Sequence, residues 1–179
     1  MKKVKKLIFT HNLEKAVEAI LWIANQRQGE IDVYTIVKVL FFADFYHLNK
    51  YGRTICGDNY VALENGPVPS ETYRILSPKR PAAQIHFTRI ENIINPHRPC
   101  NREYLSESDI EALEEGWKIC KDASFDYLKK VTHQFAAYKN AWKKRGFKKS
   151  YPINLMDLIE NDKKSRFDES VYYSENIKI

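Results

Sequence analysis

The sequence predicts an α+β fold: a mainly helical single domain with a small antiparallel β-sheet. Apolar residues recur at helical spacing over long stretches on both sides of the centre. Between them lie short segments rich in β-branched and aromatic residues, bounded by glycine, asparagine and proline. No serine-, glycine- or proline-rich linker divides the 179 residues, a length that suits one domain with one core. The expected division is an N-terminal arm over 1–9, the domain over 10–162 and a polar C-terminal tail over 163–179.

From about Thr10 to Arg27, Leu13, Val17, Ile20, Leu21 and Ala24 form one apolar stripe, so an amphipathic helix is expected there. Asp32 then caps a second helix that is apolar nearly all round, from Ile36 through Phe41, Phe42 and Phe45 to Leu48. Such a helix belongs in the centre of the molecule. It should stop at Tyr51-Gly52, where glycine accepts the left-handed cap conformation. Tyr60 to Leu63 reads as a short strand closed by Asn65-Gly66-Pro67, and Ser70 suits the N-cap of a short helix to Leu76. Ile85 to Ile94 could supply one or two more strands, interrupted at Pro96 and Pro99.

Ser108 with Glu111 fits a capping box, opening a helix to about Lys121 with Ile110, Leu113, Trp117 and Cys120 inward. Its outer face would carry Glu107, Asp109, Glu111, Glu114 and Glu115. A further helix starts near Ser124 and runs through Leu128, Val131, Phe135, Tyr138 and Trp142 to a lysine-rich turn and Gly146. Pro152 is expected in the first turn of a last helix carrying Leu155, Leu158 and Ile159.

Composition narrows the function classes. Unbroken apolar runs such as Val39 to Ala43 are far too short to span a bilayer, so no membrane partner is expected. The opening MKKVKKLIF imitates the basic start of a signal peptide, but Thr10 and His11 end its apolar stretch, and a cytoplasmic protein is expected. Cys56, Cys100 and Cys120 contain no C-x-x-C pair and imply reduced thiols rather than a disulfide framework. His97-x-x-Cys100 is half of a zinc pattern without its other half, and no phosphate-binding or dinucleotide fingerprint occurs. The expectation is no metal and no cofactor. The net charge of +6 comes from 29 basic and 23 acidic residues, with lysines crowded at 2–6, 143–149 and 163–166.

Asp44 and His47 stand three residues apart within the apolar second helix, so they share one side of it. An unpaired buried carboxylate costs several kcal/mol, so the structural reading makes the two a polar anchor supplied with donors by the glycine-marked turn that follows. The rival reading is an acid/base pair or half of a metal site, but no second helix repeats the acid–histidine spacing. A reaction centre built on Asp44, His47 and Cys56 would need those groups to converge on an open pocket. Around Tyr138, Trp142, Phe147 and Tyr151, aromatics interleave with lysines. That mixture suits base stacking with phosphate neutralisation, a solvated helix face, or a protein interface.

The stretch KVLFFADFYHLNKYG, then ICGDNYVALENGPVPSETY, and later LSESDIEALEEG and the segment from His133 to Ala141-Trp142, resembles the Panacea, or SocA-like, antitoxin domain. The likeness runs from about Leu13 to Leu158 and rests most on Phe42, Ala43, Asp44, His47, Tyr51, Gly52, Gly57, Asp58, Gly66, Pro67, Val68 and Pro69. It implies a non-catalytic antitoxin of a bacterial or phage toxin–antitoxin pair, acting by direct contact on a cognate toxin encoded by the adjacent gene. Neutralisation would proceed by covering the toxin or by delivering it to a protease; a nucleic-acid-binding regulator is the alternative. The expected partner surface comprises Asp58, Tyr60, Glu64, Pro67, Val68, Tyr73, His133 and Trp142, because tyrosine, tryptophan and charged groups anchor interfaces.

Overall fold

The computed structural model describes residues 6–27, 30–80, 83–165 and 167. Most of the expected C-terminal tail and the first five residues of the N-terminal arm lie outside that set. The fold is α+β and mainly helical: among the described residues there are six α-helices and two three-stranded antiparallel sheets.

Helix α1 (Leu13–Asn25) begins where the Asn12 side chain accepts the Lys15 amide. Helix α2 (Val33–Tyr51) begins at Asp32, whose carboxylate accepts the Thr35 amide, and ends at Gly52 with φ 83°. Its core-facing side chains are buried almost from end to end, which places it at the centre. Helix α4 (Glu107–Cys120) lies across α2 and makes its most extensive packing. Gly116 permits that approach, since a Cβ there would sit 2.4 Å from the Val39 carbonyl oxygen and 3.0 Å from the Ala43 nitrogen.

Strand β1 (Ile31–Asp32) pairs with β5 (Ile93–Pro96), which pairs with β4 (Phe87–Ile90), so the Ile85–Ile94 region forms a hairpin. The second sheet has the order β3-β2-β6, from Gly66–Pro69, Tyr60–Leu63 and Tyr151–Pro152. Here the structure corrects the sequence reading. The strand ends at a turn as expected, but that turn is Glu64–Asn65, and Gly66 and Pro67 already belong with Pro69 to β3, an edge strand, where a residue without an N–H is tolerated. Pro152 likewise sits in edge strand β6, opposite Val61, and only a 3₁₀ turn follows at Leu155–Leu158.

Three helix starts and breaks also differ. The capping box of α4 is Ser106 with Asp109, not Ser108 with Glu111. Helix α3 (Ser70–Ile75) has no cap from the Ser70 side chain; the distant Asp58 accepts its Glu71 and Thr72 amides instead. The expected helix from Ser124 to Trp142 is two helices, α5 (Phe125–Gln134) and α6 (Ala136–Lys144). They break at Phe135, whose extended backbone turns its ring against Phe41 and Phe45, centroids 5.0 Å from each. Burying that ring among aromatics outweighs continuing the helical ladder, while the apolar period runs on unbroken and hides the corner.

Candidate functional site

The polar residues singled out by sequence divide between a closed interior and an open cleft. In the interior, Asp44 Oδ1 accepts the Ile55 amide at 2.6 Å and Oδ2 accepts the Tyr60 hydroxyl at 2.7 Å. Burial pushes the Asp44 carboxyl up to about 7, against the lowering effect of those two donors. One helical turn on, His47 Nδ1 lies 2.8 Å from the Arg53 carbonyl and Nε2 lies 3.1 Å from Ser108 Oγ. A carbonyl can only accept, so Nδ1 carries the proton and Nε2 accepts from the serine. Burial lowers the imidazole's pKa, opposed by the Arg53 carbonyl, which keeps the neutral tautomer in place.

Asp109 was expected on the solvated face of α4, yet it is fully buried beneath α1. Lys15 Nζ donates to it at 2.6 Å, Arg53 Nη2 at 2.9 Å and the Ser106 amide at 2.9 Å. Burial works to raise this carboxyl, but the bonds from Lys15 and Ser106 prevail and hold it below the usual carboxylate range. The physical reason for the misplacement is local. A capping residue at the third helical position must fold back over the helix start, and here that start is covered by α1 and the Arg53 side chain.

Asp58 and Tyr60, expected on the partner surface, are each 1% exposed. Asp58 accepts three backbone amides, from Asn59, Glu71 and Thr72, while the Tyr60 hydroxyl is committed to Asp44. Pro67 is also buried, and its carbonyl accepts Lys38 Nζ at 3.0 Å. None of these three presents a side chain for docking in this conformation. Cys56 is buried as well, and burial raises its thiol pKa well above the usual value, the opposite of an activated nucleophile. Among the described residues, no group of three or more histidine, cysteine or acidic side chains is placed to hold a metal ion.

The remaining members of the expected partner surface gather elsewhere. Glu64, Val68, Tyr73 and Trp142 line one half-open cleft of about 1000 Å³ between the start of α2, the β2–β3 turn and the segment after α6. Tyr34, Phe125 and Phe147 add aromatic surface, and Arg145, Lys148 and Lys149 add positive charge. His133 stands behind Trp142 as the first ring of a stack. Its ring is 4.3 Å from that of Tyr138, which is 5.8 Å from Trp142, over which the Arg145 guanidinium lies at 3.7 Å. Tyr138 fixes this stack by donating to the Leu63 carbonyl at 2.8 Å.

Lys38 and Asp109 carry much of this geometry and are not singled out as site residues by the sequence, whereas Phe147 stands among the aromatics interleaved with lysines. Lys38 lies within an apolar run and is fully buried, and burial drops its ammonium to about 7. Phe147, by contrast, stands wholly in solvent among lysines.

A buried acid–imidazole network at the junction of the central helix and a glycine-marked turn is thus combined with a proline-bearing edge strand. The family model described as antitoxin SocA-like, Panacea domain, matches residues 36–143, more than half of the chain. The chain belongs to that family. The match takes in Asp44, His47, Asp58, Tyr60, the β2–β3 hairpin, Asp109 and Trp142. Arg145, Phe147, Lys148 and Lys149 of this Panacea-domain chain lie just beyond the matched residues. No curated protein and no solved structure matches. No helix among the described residues is long and apolar enough to cross a membrane.

Proposed function

We propose that this Panacea-domain chain is an antitoxin that binds a cognate toxin protein and neutralises it by direct contact, without chemistry of its own. The toxin would be the product of the adjacent gene. Family membership supports the antitoxin role. The observation that carries the contact mode is the grouping of Glu64, Val68, Tyr73 and Trp142 around one cleft rimmed by exposed aromatic and basic side chains. Preorganised aromatic and arginine anchors of this kind lose little entropy on binding and contribute heavily to interface energy. The interior polar groups support the same reading, because Asp44, His47 and Asp109 are sealed from solvent and each is hydrogen-bonded within the fold. They brace the frame on which the cleft is built.

The test is co-expression. Induction of the adjacent gene product should arrest growth, and this chain should restore it while co-purifying with the toxin. Restored growth with loss of the toxin protein would indicate delivery to a protease instead. Rescue without any physical association would remove the direct-contact reading.

A further inference from the structure

Of the basic residues in 143–149, none forms an ion pair among the described residues: Lys143, Lys144, Arg145, Lys148 and Lys149 have no acidic partner. Elsewhere some cations are paired, as with Lys15 and Arg53 on Asp109, Arg98 on Glu18 and Lys50 on Glu111, while others such as Arg27 and Lys130 are not; what sets 143–149 apart is that its cations are close together in sequence along one wall. Arg145 spends one nitrogen, Nη1, on the carbonyls of Gly146 and Lys148, while its Nε is buried with no hydrogen-bond partner. A carboxylate is the strongest acceptor for a guanidinium, by charge as well as by hydrogen bonding.

Beside these donors Phe147 is fully exposed, and Trp142, stacked on Tyr138 and under the Arg145 guanidinium, lines the cleft. Tyr34 and Phe125 form a second aromatic pair in the same lining, with ring centroids 4.3 Å apart. The cleft is therefore one-sided in charge. Its α6 side presents Arg145, Lys148 and Lys149, its hairpin side presents Glu64 and Asn65, and the start of α2 adds Asp32 and the buried Lys38. A continuous phosphate backbone would meet Glu64 as a like charge. A short polypeptide segment would not, since it can turn carboxylates to one wall and backbone N–H groups to the other.

We infer that the cleft receives an acidic segment of the partner protein carrying at least one large aromatic side chain, which seats among Phe147, Trp142, Tyr34 and Phe125 while its carboxylates meet Arg145, Lys148 and Lys149. This rests on the antitoxin reading for the identity of the partner, but not for the chemistry of the segment. Because the basic wall lies just past the family-matched residues, it is where this chain would adjust its choice of partner.

The experiment measures fluorescence anisotropy of a short labelled peptide in which tryptophan and phenylalanine alternate with aspartate, titrated with the full chain. Comparators are the same peptide with lysine replacing aspartate, and a short single-stranded DNA. The expected result is binding of the acidic peptide alone, weakened by salt. Phe147→Ala and the pair Lys148→Glu with Lys149→Glu should each raise Kd by about tenfold or more. All these positions are exposed, so an unchanged melting temperature shows that the variants fold. Equal affinity for both peptides, no binding of the acidic one, an unchanged Kd in the variants, or tighter binding of the DNA would each overturn the inference. Growth rescue in the same variants separates the two proposals. Rescue retained with cleft variants overturns the cleft and leaves the antitoxin reading standing; acidic-peptide binding without any rescue by the wild type does the reverse.

Discussion

Two regions of this molecule hold comparable numbers of polar side chains and treat them in opposite ways. Around α2, Asp44, His47, Asp58 and Asp109 are enclosed, and each acceptor faces a donor supplied by the fold. Around the α6 end, cations and rings stand open with no internal partner for their charge. The difference teaches how to tell support from contact. In the interior a missing partner destabilises the fold, and these four side chains are matched; on the surface unmatched charge is tolerated because water solvates it.

The largest effect should come from breaking the enclosed network. Asp44→Ala removes the acceptor of both the Ile55 amide and the Tyr60 hydroxyl, leaving two buried donors unpaired. The expected loss is about 4 kcal/mol, read from urea unfolding. A variant as stable as wild type would show that the interior acid is not a brace. Because burial raises the folded Asp44 pKa to about 7, the wild type should also lose stability as pH rises from the ordinary carboxylate range through about 7, where the buried group must ionise. Asp44→Ala should lack that component.

A second break concerns the seam that closes the network. Glycine to alanine in the middle of a helix ordinarily stabilises by roughly 0.5–1 kcal/mol. At Gly116 the added methyl would lie 2.4 Å from the Val39 carbonyl oxygen, a backbone atom that cannot swing aside. Helix α4 must then lift from α2, loosening Asp109 and Ser108 over His47. We expect Gly116→Ala to destabilise by about 3 kcal/mol, the opposite sign to its helix propensity. A stabilised variant would mean that the two helices are not held in close register.

These interior features also mark how far the sequence is legible. The central helix, its Asp32 and Gly52 ends, the β2 strand and the amphipathic α1 follow from periodicity and capping chemistry, which are local. What escaped was set by distant partners. Asp58 caps a helix whose N-terminus is far along the chain, Asp109 is buried by α1, and Phe135 turns a corner to reach Phe41 and Phe45. The same holds for the site. The sequence grouped Tyr73, Glu64 and Trp142 with Asp58 and Tyr60 as one expected partner surface; the first three line the cleft, whereas the side chains of Asp58 and Tyr60 are buried. In a strand only the pleat decides which neighbour faces in, and here the buried acid selects Tyr60.

Lys38 belongs to both regions and gives the finest test of the contrast. It lines the cleft yet is fully buried, with Nζ donating to the Pro67 carbonyl and lying 4.9 Å from the Tyr34 ring centre. Burial lowers its folded pKa to about 7, while the unfolded chain keeps the ordinary lysine value of about 10.4. Between those values the unfolded chain binds more protons, so stability rises with pH; it is fully present above the unfolded value and is lost as pH falls through about 7. Lys38→Met removes this dependence at similar volume. Unfolding curves taken from pH 7 to pH 9 should therefore show the wild type gaining about 2 kcal/mol more than the variant over that interval. Parallel curves would mean that the ammonium stays charged in the fold, solvated from the cleft, and that Lys38 counts with the open cations instead of the enclosed ones.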